Sequence, residues 1–176
     1  MKKLIFKFFF IMCFVLISSQ VSSEILNKVE IKGNKRISDQ TIQVYGDIQL
    51  NKNYKNEDIN EILKKLYNTN FFSNISTNFS NGILTINVTE NPIIYSIDIK
   101  GEAAKKFKEQ IFKIISLKEK SSYIENYVKS DIEIIKNFYK SLGYYSVKVE
   151  AEKQVASAGE DTLNLIFDIT KGERSE

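Results

Sequence analysis

The feature that most constrains this chain is that it is written twice. Residues 29–34 read V-E-I-K-G-N, residues 66–72 read L-Y-N-T-N-F-F, and residues 84–90 read L-T-I-N-V-T-E. Further along, residues 97–102 read I-D-I-K-G-E, residues 138–145 read F-Y-K-S-L-G-Y-Y, and residues 165–173 read L-I-F-D-I-T-K-G-E. A repeat with a period of roughly 70–80 residues is too long for a solenoid unit and suits a small domain. The chain therefore reads as a pair of like domains, over residues 24–91 and 92–173. They meet at Glu90-Asn91-Pro92, where the single proline of the sequence forbids a continuous helix.

Residues 1–23 read as a targeting segment. Lys2 and Lys3 give a positive start, residues 8–17 (FFFIMCFVLI) are uninterruptedly apolar, and residues 18–23 are small and polar apart from Gln20 and Val21. That is the layout of a cleaved secretory signal. The apolar run falls short of the about 20 residues needed to cross a bilayer. Three of the 25 basic residues lie in this segment and none of the 22 acidic ones does, so the remainder is formally neutral. The net charge of +3 for the whole chain is thus no argument for a nucleic-acid partner.

Each half has the same order of elements. In the first, residues 24–32 read as one strand, Ser38 as the N-cap of a short helix ending before Gly46, and Asn56 as the cap of a second helix. Ile59, Ile62, Leu63, Leu66 and Tyr67 give that helix an apolar stripe. Ile75, Thr77 and Phe79 alternate in a strand, Asn81-Gly82 signals a tight hairpin, and Leu84, Ile86 and Val88 line one face of the return strand. In the second half, residues 93–99 read as a strand and residues 103–115 as a helix burying Phe107, Ile111, Ile114 and Ile115. Ser122 with Glu125 reads as a capping box for a long helix, which carries Ile124, Val128, Ile132, Ile135, Phe138, Tyr139 and Leu142 and stops at Gly143. Tyr145, Val147 and Val149 alternate in a strand over residues 144–152. Leu163, Leu165, Phe167 and Ile169 form the last strand, and residues 171–176 read as a frayed tail. The fold class is α+β: two β-α-α-β-β domains, each a three-stranded mixed sheet with two helices on one face.

Catalytic chemistry has little to work with. The sequence contains no His, and its one Cys is Cys13, inside the apolar segment. That removes the usual zinc sets, Ser-His and Cys-His pairs and histidine bases, so no metal, cofactor or catalytic residue is assigned. No glycine pattern suits a dinucleotide or a phosphate. The acidic pairs Glu57-Asp58 and Glu160-Asp161 are explained by a helix start and a turn.

What remains is an edge. In a three-stranded sheet the outgoing hairpin strand, residues 72–80 (FSNISTNFS), carries no charge and no proline. An edge strand offers unpaired N–H and C=O groups, and proteins usually blunt it. An unblunted one suits β-augmentation by an extended guest. Phe72, Ser73, Asn74, Ile75, Ser76, Thr77, Asn78 and Phe79 are therefore the candidate peptide-binding residues. The corresponding strand of the second half carries Lys148, Glu150 and Glu152 and is better protected. Phe71, Phe72, Tyr144 and Tyr145 at the helix–strand junctions read as core.

The exported β-α-α-β-β repeat, with I-K-G-N-K-R-I-S at residues 31–38, D-I-N-E-I-L-K-K-L-Y at 58–67, V-T-E-N-P at 88–92 and F-Y-K-S-L-G-Y-Y-S-V-K-V at 138–149, resembles the tandem POTRA domains of outer-membrane protein assembly factors. The resemblance covers residues 25–171. It implies a periplasmic, outer-membrane-associated module that receives unfolded outer-membrane proteins from periplasmic chaperones, docks accessory assembly lipoproteins and has no catalytic residue. Family members carry further POTRA domains and a C-terminal membrane β-barrel, so the expectation is that this sequence is part of a longer protein rather than a free-standing two-domain relative. The alternative is a POTRA protein of the cell-division, FtsQ-like type, held by an uncleaved N-terminal anchor.

Overall fold

The computed structural model describes residues 23–157, 159 and 161–175. The targeting segment, Cys13 included, lies outside the described residues except for Ser23, and so does Glu160. The elements in chain order are β1 (Glu24–Ile25), β2 (Lys28–Lys32), α1 (Asp39–Gly46), β3 (Asn53–Tyr54), α2 (Asn56–Asn68), β4 (Phe72–Ser80), β5 (Ile83–Glu90), β6 (Ile93–Lys100), α3 (Lys105–Ile114), α4 (Glu125–Ser141), β7 (Lys148–Val155) and β8 (Thr162–Thr170).

Two three-stranded sheets result, ordered β2-β5-β4 and β6-β8-β7. In each, the last strand of the repeat sits in the middle. It runs parallel to the first strand and antiparallel to its hairpin partner. The parallel pairing requires a long crossover, which the two helices supply. Those helices cover one face only. Ile42, Ile59, Ile62 and Leu66 meet Ile75, Leu84, Ile86 and Val88 in the first core. Ile111, Val128, Ile135 and Tyr139 meet Ile97, Ile99, Leu165, Phe167 and Ile169 in the second. The two cores are separate, and the mixed α+β architecture matches the sequence reading.

The repeated I-K-G sequence has a steric cause. Gly33 (φ 87°) and Gly101 (φ 74°) end β2 and β6 in the left-handed region. A Cβ at either would overlap the carbonyl oxygen of Val88 or of Ile169, at matching points of the central strands. Asn81 (φ 53°) and Gly82 (φ 71°) form the two-residue hairpin turn that their sequence announces.

Several local expectations give way to tertiary contacts. The first strand is broken at Leu26, which is fully buried while Ile25 is half exposed. Leu26 donates its N–H to Lys52 and accepts from the Asn51 N–H, because β3 has claimed this stretch as its partner. The left-handed residue after α1 is Asp47 (φ 53°), not Gly46. The cap of α2 is Lys55, whose N–H is held at 2.8 Å by the Asp58 carboxylate; Asn56 is already helical. The Ser122–Glu125 box does not form. Ser122 bridges to Ile93 and the Tyr123 N–H is donated to Pro92, so α4 begins only at Glu125. Ile114 and Tyr145 are exposed rather than core, and β7 starts at Lys148, four residues later than its alternation suggests. The C-terminal segment is not frayed through Ser175: Arg174 donates to the Leu142 carbonyl and Ser175 to that of Gly143.

One core group escaped the sequence reading. Asp131 occupies a position of the α4 stripe between Val128 and Ile135 and is fully buried. Its carboxylate accepts the Ser116 and Leu117 N–H groups, at 2.7 and 2.9 Å, where the chain leaves α3. Asp131→Ala leaves both donors unpaired. It should lower the stability of the second domain by about 2–4 kcal/mol, measured by urea denaturation followed through that domain's amide signals, whereas Ile114→Asp should be near neutral.

Candidate functional site: the edge of strand β4

Four sheet edges are available, and they are not alike. β2 presents Lys28, Glu30 and Lys32, with ion pairs at 2.9 and 3.9 Å along the strand. β6 is covered by its own chain: Ile94 donates to Ser121 and accepts from Lys120, and the Ile97 N–H reaches the Glu119 carboxylate at 3.3 Å. β7 carries Lys148, Glu150, Glu152 and Lys153, the last of them 3.6 Å from Glu125. These are charge and covering, the usual ways of blunting an edge. β4 has no charged side chain, and among the described residues no strand pairs with its outer side.

The two-residue turn fixes which peptide groups of β4 face outward. Ser80 and Ile83 close the hairpin as a hydrogen-bonded pair, so Asn78, Ser76 and Asn74 also bond to β5 while Phe79, Thr77 and Ile75 turn their N–H and C=O groups away from it. The structure supplies an independent check at Ile75, whose N–H and C=O both meet the Tyr67 hydroxyl, at 3.0 and 3.2 Å. Among the described residues, no partner satisfies the outward groups of Thr77 or Phe79. The edge is therefore open over one stretch and closed at one position, which sequence reasoning missed. Tyr67 lies in the apolar stripe of α2, yet it is 42% exposed.

The sequence-derived candidates take three roles. Phe72 and Ile75 bury their side chains, although three residues apart, because a bulge at Ser73 shifts the register between Phe72 and Asn74. Ser73 turns its hydroxyl to the Thr89 carbonyl at 3.1 Å. Asn74, Ser76 and Asn78 stand on the helix-free face beside Thr89, Asn87 and Thr85, a polar and uncharged ladder. Ile75, Thr77 and Phe79 supply the outward peptide groups; the last two have no partner among the described residues. Phe79 also packs edge-on against Tyr54, with ring centroids 6.4 Å apart.

The end of β5 anchors this domain to the next. The Glu90 carboxylate accepts the Lys35, Arg36 and Ile37 N–H groups at 2.8, 2.9 and 3.0 Å, a nest of successive donors, and pairs with the Arg36 guanidinium at 3.0 Å. Arg36 also donates to the Asn91 carbonyl, and Lys35 pairs with Asp161 of the second domain at 3.0 Å. Beside this joint lies a cleft of about 400 Å³ bordered by Arg36, Phe71, Ile93, Leu117, Lys120 and Tyr127. Burial alone would push the Glu90 carboxyl up; the three N–H groups and Arg36 outweigh it and hold the group below the ordinary glutamate value. Among the described residues, no cluster of three His, Cys, Asp or Glu has the geometry to hold a metal ion. Nor is any described helix long and apolar enough to cross a membrane.

A tandem α+β module with one uncharged sheet edge is the class these features define. The sequence profile of the POTRA family (surface antigen variable number repeat) matches residues 25–91 and 92–172, so the chain belongs to that family. Among relatives, the outer membrane protein assembly factor BamA of Neorickettsia risticii (strain Illinois) is 25% identical over 113 residues, which are 64% of this chain and 15% of that protein. The chain thus spans a small part of that relative's length. The N-terminal domain of Omp85 from Thermosynechococcus elongatus superposes with a TM-score of 0.55 at 15% identity, covering 86% of this chain and 64% of the other. The POTRA3-5 structure of Haemophilus influenzae BamA gives 0.53 at 17% identity, covering 90% and 70%. These two likenesses concern the fold.

The lowered Glu90 carboxyl has a pH signature. A group depressed in the folded state stabilises fully above its unfolded value near 4.5 and loses that contribution as pH falls through the lower folded value. Glu90→Gln should cost the first domain about 1–2 kcal/mol near neutrality. The gap to wild type should close below pH 4.5, as read from urea midpoints followed by first-domain amide signals.

Proposed function

We propose that this chain is the periplasmic POTRA segment of an outer-membrane β-barrel assembly factor, and that β4 holds unfolded outer-membrane polypeptide by strand addition. The observation that carries the binding mode is the pair of unpaired outward peptide units at Thr77 and Phe79 on a strand without charge. The relation to an assembly factor supports the setting, and the apolar N-terminal segment supports export. Periplasmic chaperones that deliver the guest and accessory lipoproteins that dock on the module are the partners this reading calls for, together with a membrane β-barrel on the full-length chain.

The magnitudes suit a transient holder. Two outward residues offer four main-chain groups, each adding about 1 kcal/mol net when paired. A total near 4 kcal/mol, before the cost of association is subtracted, caps the affinity at a dissociation constant of about 1 mM, weak enough to pass a guest on. Main-chain bonds read no side chains, so affinity should depend little on guest sequence. The polar ladder of Asn74, Ser76 and Asn78 repels no guest by charge.

Titrating the isotope-labelled protein with an eight-residue peptide of alternating valine and threonine should shift the amide signals of Thr77 and Phe79 first, with millimolar affinity. Thr77→Pro should abolish the shifts, since it deletes an outward N–H and leaves the β5 ladder intact. Absence of any β4 shift at saturating peptide would contradict the proposal.

A further inference from the structure

Tyr67 makes two hydrogen bonds of an unusual kind. Its hydroxyl accepts from the Ile75 N–H at 3.0 Å and donates to the Ile75 C=O at 3.2 Å. Those are the two bonds that a residue of an added antiparallel strand would make to an outward-facing partner on β4. A side chain of the same domain thus imitates one residue of a guest. The imitation also marks where a guest must stop. Thr77 and Phe79 lie on the hairpin side of the plug, and the bulge at Ser73 disrupts the pairing on its other side.

We propose that Tyr67 is a gate on the β4 edge: its hydroxyl closes Ile75 to short guests and yields that position to longer ones that continue past Thr77. The ring is suited to this. It sits on the last turn of α2, directly before the Thr69 cap, and is 42% exposed, so a rotamer change carries the hydroxyl into water without opening the core. The residues that anchor α2 are Ile59, Ile62 and Leu66, all buried, and the helix keeps its seat when Tyr67 moves. The gate also protects the unliganded edge. With Ile75 filled, Thr77 and Phe79 are the outward residues of β4 that no described residue pairs with, too short a strip for stable edge-to-edge pairing of two copies. A guest selected by length rather than by sequence follows from this arrangement.

The inference rests on the strand-addition reading of β4, and the test separates the two. Tyr67→Phe removes one oxygen from a partly exposed ring and leaves the packing in place; Tyr67→Leu serves as a second variant. In the unliganded proteins, amide exchange at Ile75 should be at least about tenfold faster in both variants, while Asn78 is unchanged. Equal exchange at Ile75 in wild type and variants would overturn the gate whatever peptides do. With guest present, the eight-residue valine–threonine peptide should bind the variants roughly thirtyfold more tightly than wild type, the difference two net hydrogen bonds allow. Its four-residue truncation, which pairs only with Thr77 and Phe79, should bind all three proteins alike. A purely structural role for Tyr67 would shift both peptides together and so overturn the gate. Equal affinity of the long peptide for all three proteins would overturn the gate and leave strand addition standing. Binding of neither peptide to any of them would overturn strand addition, and the gate with it.

Discussion

Each domain depends on one close approach. The residue that ends the first strand is a left-handed glycine, Gly33 or Gly101, pressed against the carbonyl of the central strand at Val88 or Ile169. Nothing with a Cβ fits there. The contact pins the first strand in parallel register beside the last and directs the following loop across the end of the sheet. It thereby fixes which strand is central and which are left at the edges. The loop then meets the residue two places beyond the pressed carbonyl. In the first domain that is Glu90, which gathers three N–H groups and Arg36. In the second it is Lys171, 3.3 Å from Glu102, a carboxylate that also holds the Tyr139 hydroxyl at 2.6 Å. The same lock is built with opposite charge at the exit. Glu102 is almost fully buried, and its carboxyl is, like that of Glu90, held below the ordinary value: burial raises it, and Tyr139, the Ala104 N–H and Lys171 outweigh the burial.

Because the last strand always takes the centre, every repeat exposes two edges, and the treatment of those edges is where the two domains diverge. β2 is charged, β6 is covered by residues 119–121, and β7 is charged. Of the four edges β4 alone is neutral, and among the described residues its outer side is met by a single side-chain hydroxyl, that of Tyr67. The difference is a matter of a few side chains on a common backbone plan: one fold leaves an uncharged edge in one copy and charged or covered edges in the other. At the joint, Lys35 pairs with Asp161 of the second domain, while Arg36 braces Glu90 and the Asn91 carbonyl beside Pro92.

The repeat, the β-α-α-β-β plan, most of both cores and the neutral edge were legible in the sequence because each rests on periodicity or on composition, whereas the short β1–β3 pair was not. Leu84, Ile86 and Val88 are buried as their alternation demands, and Asn81-Gly82 turns as its backbone preference demands. The failures share a cause. Leu26, Ser122, Ile114 and Tyr145 were placed by local pattern, and each is decided by a segment distant in sequence: β3 takes Leu26, the start of β6 takes Ser122, and Ile114 and Tyr145 fall where no partner covers them. Asp131 was invisible because a charged residue in an apolar stripe reads as an interruption, and only the two N–H groups beyond α3 explain it. Tyr67 was half legible. Its helical spacing placed it in the α2 stripe, but it is exposed, and nothing local says that its hydroxyl ends on the outward peptide of Ile75.

The central claim is that β4 alternates between paired and open peptide groups. Native-state hydrogen exchange of the unliganded protein, resolved by residue along residues 75–80, tests it most directly. The account predicts slow exchange at Ser76, Asn78 and Ser80, whose N–H groups bond to β5, and fast exchange at Thr77 and Phe79. Protection at Thr77 and Phe79 equal to that of their neighbours would mean that the outer row is already occupied, and would contradict it.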